Sequence, residues 1–230
     1  MPIPEGTSPE GRSRDAKPGS RERSLARVVD VLLPGRGSAL DRASLATHQA
    51  VVSAVGAPGV RPVSQLLRGN EWLGHPMHPV VIAVPIGAWV VSGWYDLRSA
   101  VSRDPRDEHA ADGALRIGVA GALVAAVTGI VQYVDTKGAV RRETTVHAAL
   151  NNVALGLYVA SGRLRRSGRR PLARKLALTA LGVVGVSGYL GGDISYRHGV
   201  GVRPQALRDT DRPASESSDE PIEVSEVGHV

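Results

Sequence analysis

The stretch Ile117–Val134 reads IGVAGALVAAVTGIVQYV and contains no charged residue. Three further stretches, 79–95, 146–162 and 176–192, are also free of charge. A helix needs about 20 mainly apolar residues to cross a hydrocarbon core of about 30 Å, and these stretches come close to that length. A soluble bundle helix would carry a charged stripe, which they lack. The sequence therefore predicts an all-α, integral membrane four-helix bundle. Its helices are expected near 79–97, 114–134, 146–162 and 174–194.

An internal repeat relates the first of these segments to the third. The shift that superimposes His78 on His147 also carries Trp89 onto Tyr158, within a shared pattern of Gly, Val and Ser-Gly. A second, shorter shift superimposes Arg116 on Lys175 and aligns the second segment with the fourth. These matches predict two repeated helical hairpins related by an axis along the membrane normal. Pro85 lies inside the first helix and is expected to kink it.

The segments on either side of this bundle differ from it in composition. Residues 1–24 are rich in Pro, Gly, Ser and Arg and are predicted to be a disordered N-terminal tail. Residues 25–65 contain short amphipathic helices that either lie on the membrane surface or pack on the main body. The four-helix domain covers 66–202, and residues 203–230 read as a disordered acidic tail.

Composition narrows the chemistry that this chain can perform. The absence of Cys excludes disulfides, thiolate metal sites and a Cys nucleophile, so any metal must be held by His, Asp or Glu. The net charge of +6 is not organised as a basic stripe interleaved with aromatic residues, so no specific nucleic-acid binding is expected. The sequence contains no nucleophile–base pair, phosphate loop or paired-carboxylate motif, which favours a role other than an enzyme.

Up-and-down connectivity places the polar residues of the bundle on one membrane face, where the first and third helices begin. The candidate ligands on this face are His75, His78 and His147 for a cofactor, with Asp193 added for a metal ion. Haem b between two imidazoles and a transition-metal ion both suit such residues. The alternative is that the histidines bond helix ends or lipid head groups. Supporting polar residues on the same face are Asp135, Asn151, Tyr196 and His198.

The run 72–79 (WLGHPMHP), followed by Pro85-Ile86-Gly87, resembles a bacterial predicted membrane protein family known as domain of unknown function 2231. The start of the third helix at 146–151 (VHAALN) and the segment 188–202 also fit the family pattern, so the resemblance covers about 66–202. Some relatives carry a redox module on the same chain. The resemblance therefore implies a link to electron transfer, and it supports His75, His78 and His147 as candidate ligands.

These observations lead to two hypotheses about function. The first is a redox-associated or haem- or metal-binding membrane subunit with a histidine-lined polar site at one face. The second is a membrane anchor or assembly factor that docks partners through its tails and holds no cofactor. Expected partners are the lipid bilayer, redox proteins and a second copy of the chain. The protein is predicted to be a multi-pass protein of the cell membrane with cytoplasmic tails, because its basic N-terminal region lacks a signal sequence.

Overall fold

The computed structural model describes residues 33–202, which are helical apart from short connections. Two shorter helices come first, α1 (Ala39–Gly56) and α2 (Arg61–Arg68). The short helix α3 (Met77–Val81) leads almost directly into α4 (Ala83–Ser102). Three long helices complete the fold, α5 (Pro105–Tyr133), α6 (Gly138–Arg166) and α7 (Arg170–Gly192), and α7 continues into one π-helical turn at Asp193–Arg197. Both predicted tails, and residues 25–32 of the predicted amphipathic region, lie outside the described residues.

The long helices pack mainly in consecutive pairs, α4 on α5 and α6 on α7, with smaller contacts between the pairs. The core between them contains Trp89, Leu115, Tyr158 and Val184 together with small alanines. Trp89 and Tyr158 stack with ring centroids 4.1 Å apart. The small residues let the helix backbones approach closely, as is usual for helices that associate in lipid.

Three segments are long and apolar enough to cross a membrane: Met77–Ser102, Pro105–Tyr133 and Arg170–Arg197. Three of the four expected spans therefore meet this standard of hydropathy, and α6 does not. Its 29 residues include Arg141 and Glu143 near the start and three arginines in the last turn, and its centre carries two asparagines. The asparagines lower the mean hydropathy of the stretch 146–162, and the charged residues lie on either side of it.

Every long helix is also longer than the uncharged stretch that predicted it. The helix expected near 114–134 begins at Pro105, capped by the Asp104 side chain, and the helix expected near 146–162 runs from Gly138 to Arg166. The charged residues that seemed to mark the helix ends lie inside the helices. The expected kink at Pro85 takes the form of the break between α3 and α4, because the ring of Pro85 disfavours a helical carbonyl at Val81.

Helices α1 and α2 pack on the end of the bundle where α5 ends and α6 begins. Asp41 pairs with Arg141 and Arg142 at 3.2 and 3.1 Å. The backbone N–H of Gly37 and these guanidinium groups hold the pKa of Asp41 below its usual range. Tyr133 adds a hydrogen bond from its hydroxyl to the carbonyl of Ser44. We name this end of the bundle the histidine end, because His78 and His147 lie near it.

Candidate functional site

His78 lies in α3 and is held against α5. Its Nδ1 is 2.9 Å from the carbonyl oxygen of Ala125, and because a carbonyl can only accept, Nδ1 carries the proton and donates it. The imidazole packs against Gly129, where an added Cβ would lie 3.0 Å from Cε1 of the ring. Gly129 therefore gives the ring its place on the α5 backbone, and the Nε2 lone pair remains on the side of the ring away from this bond.

His147 lies in α6 and makes the corresponding contacts with α7. Its Nδ1 donates to the carbonyl oxygen of Ser187 at 2.8 Å, and the Ser187 hydroxyl lies 3.0 Å from the same nitrogen. A Cβ on Gly191 would lie 2.9 Å from Cε1 of this ring. Nε2 accepts a hydrogen bond from Nδ2 of Asn151 at 3.0 Å, so both ring nitrogens of His147 have protein partners.

The other residues predicted for this site are divided among separate surroundings. His75 is exposed in the connection before α3. Asp135 pairs with Arg68 of α2 at 3.1 Å, which links α2 to the end of α5. Tyr196 is 82% exposed, so it does not line an enclosed site. Asn151 is the predicted supporting residue that contacts a histidine of the bundle.

Asp193 and His198 meet a residue that the sequence analysis did not select. Among the described residues, His, Asp and Glu side chains gather in a group of three at Glu143, Asp193 and His198. The structure thus does not bring His75, His78, His147 and Asp193 into one cluster. Glu143 lies one helical turn before His147, and this spacing indicates that the two side chains share one face of α6. Glu143 was not predicted as a site residue because the predicted helix began at residue 146, after the charged residues.

The opposite end of the bundle holds a second polar network that was not expected from the sequence. Arg165 is buried and donates to the carboxylates of Asp96 and Asp112, the latter at 2.7 Å. Arg170 pairs with Asp112 at 2.9 Å and with Glu108 at 3.0 Å. These pairs tie the ends of α4 and α6 to the beginnings of α5 and α7, so they serve the packing of the bundle.

A family model described as predicted membrane protein (DUF2231) matches residues 74–204. The chain belongs to this family. The match includes the histidine end and all three segments that can cross a membrane, and it confirms the resemblance seen in the sequence. The protein is thus a predicted membrane protein, in agreement with its apolar helices. No curated protein and no solved structure matches the chain.

Proposed function

We propose that this DUF2231 protein is an integral membrane four-helix bundle in which α6 also crosses the bilayer. The ion pairs of Arg170 support this topology, since they hold the beginning of α7 beside Glu108 and Asp112 at the beginning of α5. If α5 and α7 both cross the membrane from the same face, the chain between them must return across it. Helix α6 is the segment that joins them, and its 29 residues would extend about 43 Å.

Equivalent contacts support the proposal that the bundle consists of two repeated hairpins. Ser92 donates to the carbonyl of Ala111, and Ser161 donates to that of Ala173. The bond from His78 to Ala125 corresponds in the same way to the bond from His147 to Ser187. The shift that superimposes the donor His78 on His147 also superimposes the donor Ser92 on Ser161. A single shorter shift superimposes the two acceptors on α5, Ala111 and Ala125, on the two acceptors on α7. The shift that these contacts give between α5 and α7 differs by about one helical turn from the shift given by the sequence alignment.

Residues at equivalent positions also touch one another, as residues near a two-fold axis do. Trp89 stacks on Tyr158, and Asp96 pairs with Arg165, and both pairs are related by the shift that superimposes His78 on His147. Each histidine precedes its member of the stacked pair by about three helical turns, so it lies on about the same helix face. This supports the expectation that the two histidines face the pseudo-two-fold axis from opposite hairpins.

We infer that His78 and His147 bind a cofactor, with haem b as the form that two facing imidazoles suit best, and that the protein acts as a redox-associated membrane subunit. The observation that carries this proposal is the bond from each Nδ1 to a backbone carbonyl. Histidine ligands usually donate the second ring N–H in this way, which fixes the ring and presents Nε2 to the metal. In His147, ligation would require Asn151 to release Nε2.

The test is the visible spectrum of the full chain, expressed with adequate haem supply and purified in detergent. We expect one haem per chain with a Soret band that shifts on reduction. His78→Ala and His147→Ala are each expected to reduce haem occupancy more than about 10-fold, because each would remove one of the two imidazoles proposed to hold the haem. A purified chain with no Soret band, or variants that keep full occupancy, would contradict the haem proposal.

Two other histidines serve as controls in this experiment. His109 lies at the opposite end, with its Nδ1 bonded to the carbonyl of Pro105, so His109→Ala should leave the spectrum unchanged. His75 shares the HPMHP motif with His78 but is exposed. His75→Ala tests whether His75 takes the place proposed for His78, because its loss would then change the spectrum.

The second candidate function is a membrane anchor or assembly factor without a cofactor. It is favoured by the complete set of protein partners at His147, whose ring then serves to clamp α6 to α7. In that case a chain carrying both His78→Ala and His147→Ala should still assemble with its partners in the membrane. Deletion of residues 1–60 should abolish that assembly, because it removes the segment that docks them.

A further inference from the structure

Glu143, Asp193 and His198 form a cluster at the histidine end. Glu143 precedes His147 by one turn of α6, so the cluster lies closer to the end of the bundle than His147 does. Nε2 of His198 is 3.3 Å from Oε2 of Glu143 and 3.9 Å from Oδ2 of Asp193. One ligand atom from each of the three side chains lies within 4.8 Å of those of the other two. The three groups therefore point into one small space.

Local structure brings two of these groups together. Asp193 begins the π-helical turn, and the amide of His198 donates to the carbonyl of Asp193 at 3.2 Å. A π-helical turn places residues five apart on the same side of the helix, so the side chains of Asp193 and His198 lie next to each other. In a regular α-helix, residues five apart point in more different directions. Single π-helical turns are frequently found at functional sites. Glu143 approaches from α6, which contacts this turn.

Burial of these carboxylates lowers the stability of the fold unless a cation or hydrogen-bond donors compensate their charge. The side chain of Glu143 is only 2% exposed and that of Asp193 only 10%. Among the described residues, Glu143 Oε1, Asp193 Oδ2 and His198 Nε2 have no hydrogen-bond partner. Arg197 pairs with Asp193 at 3.4 Å, and His198 lies within ion-pair distance of both carboxylates. Buried polar and charged groups are normally paired or bound to a metal, so the unbonded atoms of this cluster are available as metal ligands.

We propose that Glu143, Asp193 and His198 bind one divalent transition-metal cation, with the preferences of Zn²⁺. A mixed set of one imidazole and two carboxylates suits Zn²⁺, whereas Mg²⁺ and Ca²⁺ select oxygen ligands alone. Tetrahedral ligation would bring the ligand atoms to about 3.3 Å from each other. The Glu143–His198 separation already has this value, and the Asp193–His198 separation of 3.9 Å has to shorten by about 0.6 Å. Three protein ligands leave the fourth position to water.

This site is separate from the proposed haem site and does not depend on it. It uses none of the nitrogen atoms of His78 or His147, and it is read by a different signal. The competing state is a closed polar cluster in which His198 contacts the two carboxylates and no metal is bound. Zn²⁺ would take the same His198 nitrogen, so metal binding separates the two states directly.

The experiment uses the full chain in detergent, stripped with a chelator and then titrated with Zn²⁺ by calorimetry. We expect one Zn²⁺ per chain, unaffected by a large excess of Mg²⁺. X-ray absorption at the zinc edge should show one imidazole nitrogen, with the other ligands oxygen, at about 2.0–2.2 Å. Glu143→Gln and His198→Gln keep the side-chain size approximately and should each weaken Zn²⁺ binding more than about 10-fold.

Two control variants have the same chemistry at the same end of the molecule. Asp135→Asn removes a carboxylate and His75→Gln an imidazole, and neither residue belongs to the cluster, so both should bind Zn²⁺ like the parent chain. Far-UV circular dichroism and gel filtration in detergent check that each variant is folded. The proposal is overturned if the parent chain binds no Zn²⁺, or if the control variants lose as much affinity as the cluster variants. Should a cluster variant fail to fold, the stoichiometry and the zinc-edge spectrum of the parent chain decide the question.

Discussion

Replacing Arg165 with leucine is expected to lower the free energy of unfolding by about 3–5 kcal/mol, the largest loss anticipated for a single change in this protein. Arg165 is the cation that faces Asp96, whose side chain is fully buried between the helices. Leucine would fill much of the space but leave the Asp96 carboxylate without a counter-charge. Asp112 would keep its contact with Arg170, so the cost falls mainly on Asp96. Thermal unfolding in one detergent measures the effect.

Two further variants identify the cause of that loss. Arg166 is the next residue along α6 and is exposed, so Arg166→Leu should melt close to the parent chain. The double variant Asp96→Leu/Arg165→Leu removes both charges, and it should recover most of the stability lost in Arg165→Leu. An Arg165→Leu protein as stable as Arg166→Leu would show that the buried pair contributes little.

The second large effect is expected at Gly118, where α5 passes the indole of Trp89. A Cβ at this position would lie 2.3 Å from Nε1 and 2.4 Å from Cδ1 of the ring. Trp89 cannot move aside easily, because it is 5% exposed and stacked on Tyr158. Gly118→Ala should therefore lower the free energy of unfolding by roughly 1–3 kcal/mol, as overpacking of a core usually does.

Gly113 provides the matched control on the same helix. An added Cβ there meets no atom within 4 Å, so Gly113→Ala should gain about 0.5–1 kcal/mol from helix propensity. Near-UV circular dichroism would report the disturbed stack of Trp89 and Tyr158 in Gly118→Ala and an unchanged stack in Gly113→Ala. Equal stability of the two alanine variants would contradict the close packing described for this position.

The sequence was a good guide to the helices and a poorer guide to their ends. Runs without charge located all four long helices, because uncharged apolar stretches of that length are typical of helices that cross a membrane. The beginnings of α5 and α7 and both ends of α6 were placed too far inward, since residues such as Arg141, Glu143 and Arg165 were expected to lie outside the helices. In the folded chain these residues form ion pairs with residues of other elements. The partners are far apart along the chain, so the local composition does not predict the pairs.

The repeat carried spatial information that was only partly recognised. The shift that superimposes His78 on His147 aligns Trp89 with Tyr158, and these two residues stack in the structure. The same shift pairs Asp96 with Arg165, but opposite charges do not resemble a repeat, so this contact was not predicted.

The cluster at the histidine end was beyond the reach of the sequence for a different reason. The grouping of Asp193 and His198 with Glu143 depends on the π-helical turn after α7. The sequence provided no signal for that turn, because the extra residue in such a turn is accommodated by packing rather than by a characteristic local composition.

The central claim is that α6 crosses the membrane as the third of four spans. The native chain contains no Cys, so single cysteines can be placed before and after this helix without background. Lys137→Cys and Ser167→Cys flank α6, and Arg106→Cys marks the beginning of α5. Cysteines at Ser20 and Ser217 report the two tails. Each variant is treated in intact cells with a membrane-impermeant thiol reagent, and then again after the membrane is opened.

We expect Lys137→Cys to be labelled from the opposite side to Ser167→Cys, with Arg106→Cys on the side of Ser167. The cysteines at Ser20 and Ser217 should be protected in intact cells, together with Lys137→Cys, because the tails and the histidine end are proposed to face the cytoplasm. Labelling of Lys137→Cys and Ser167→Cys from the same side would mean that α6 does not cross the bilayer, and it would contradict the four-span account.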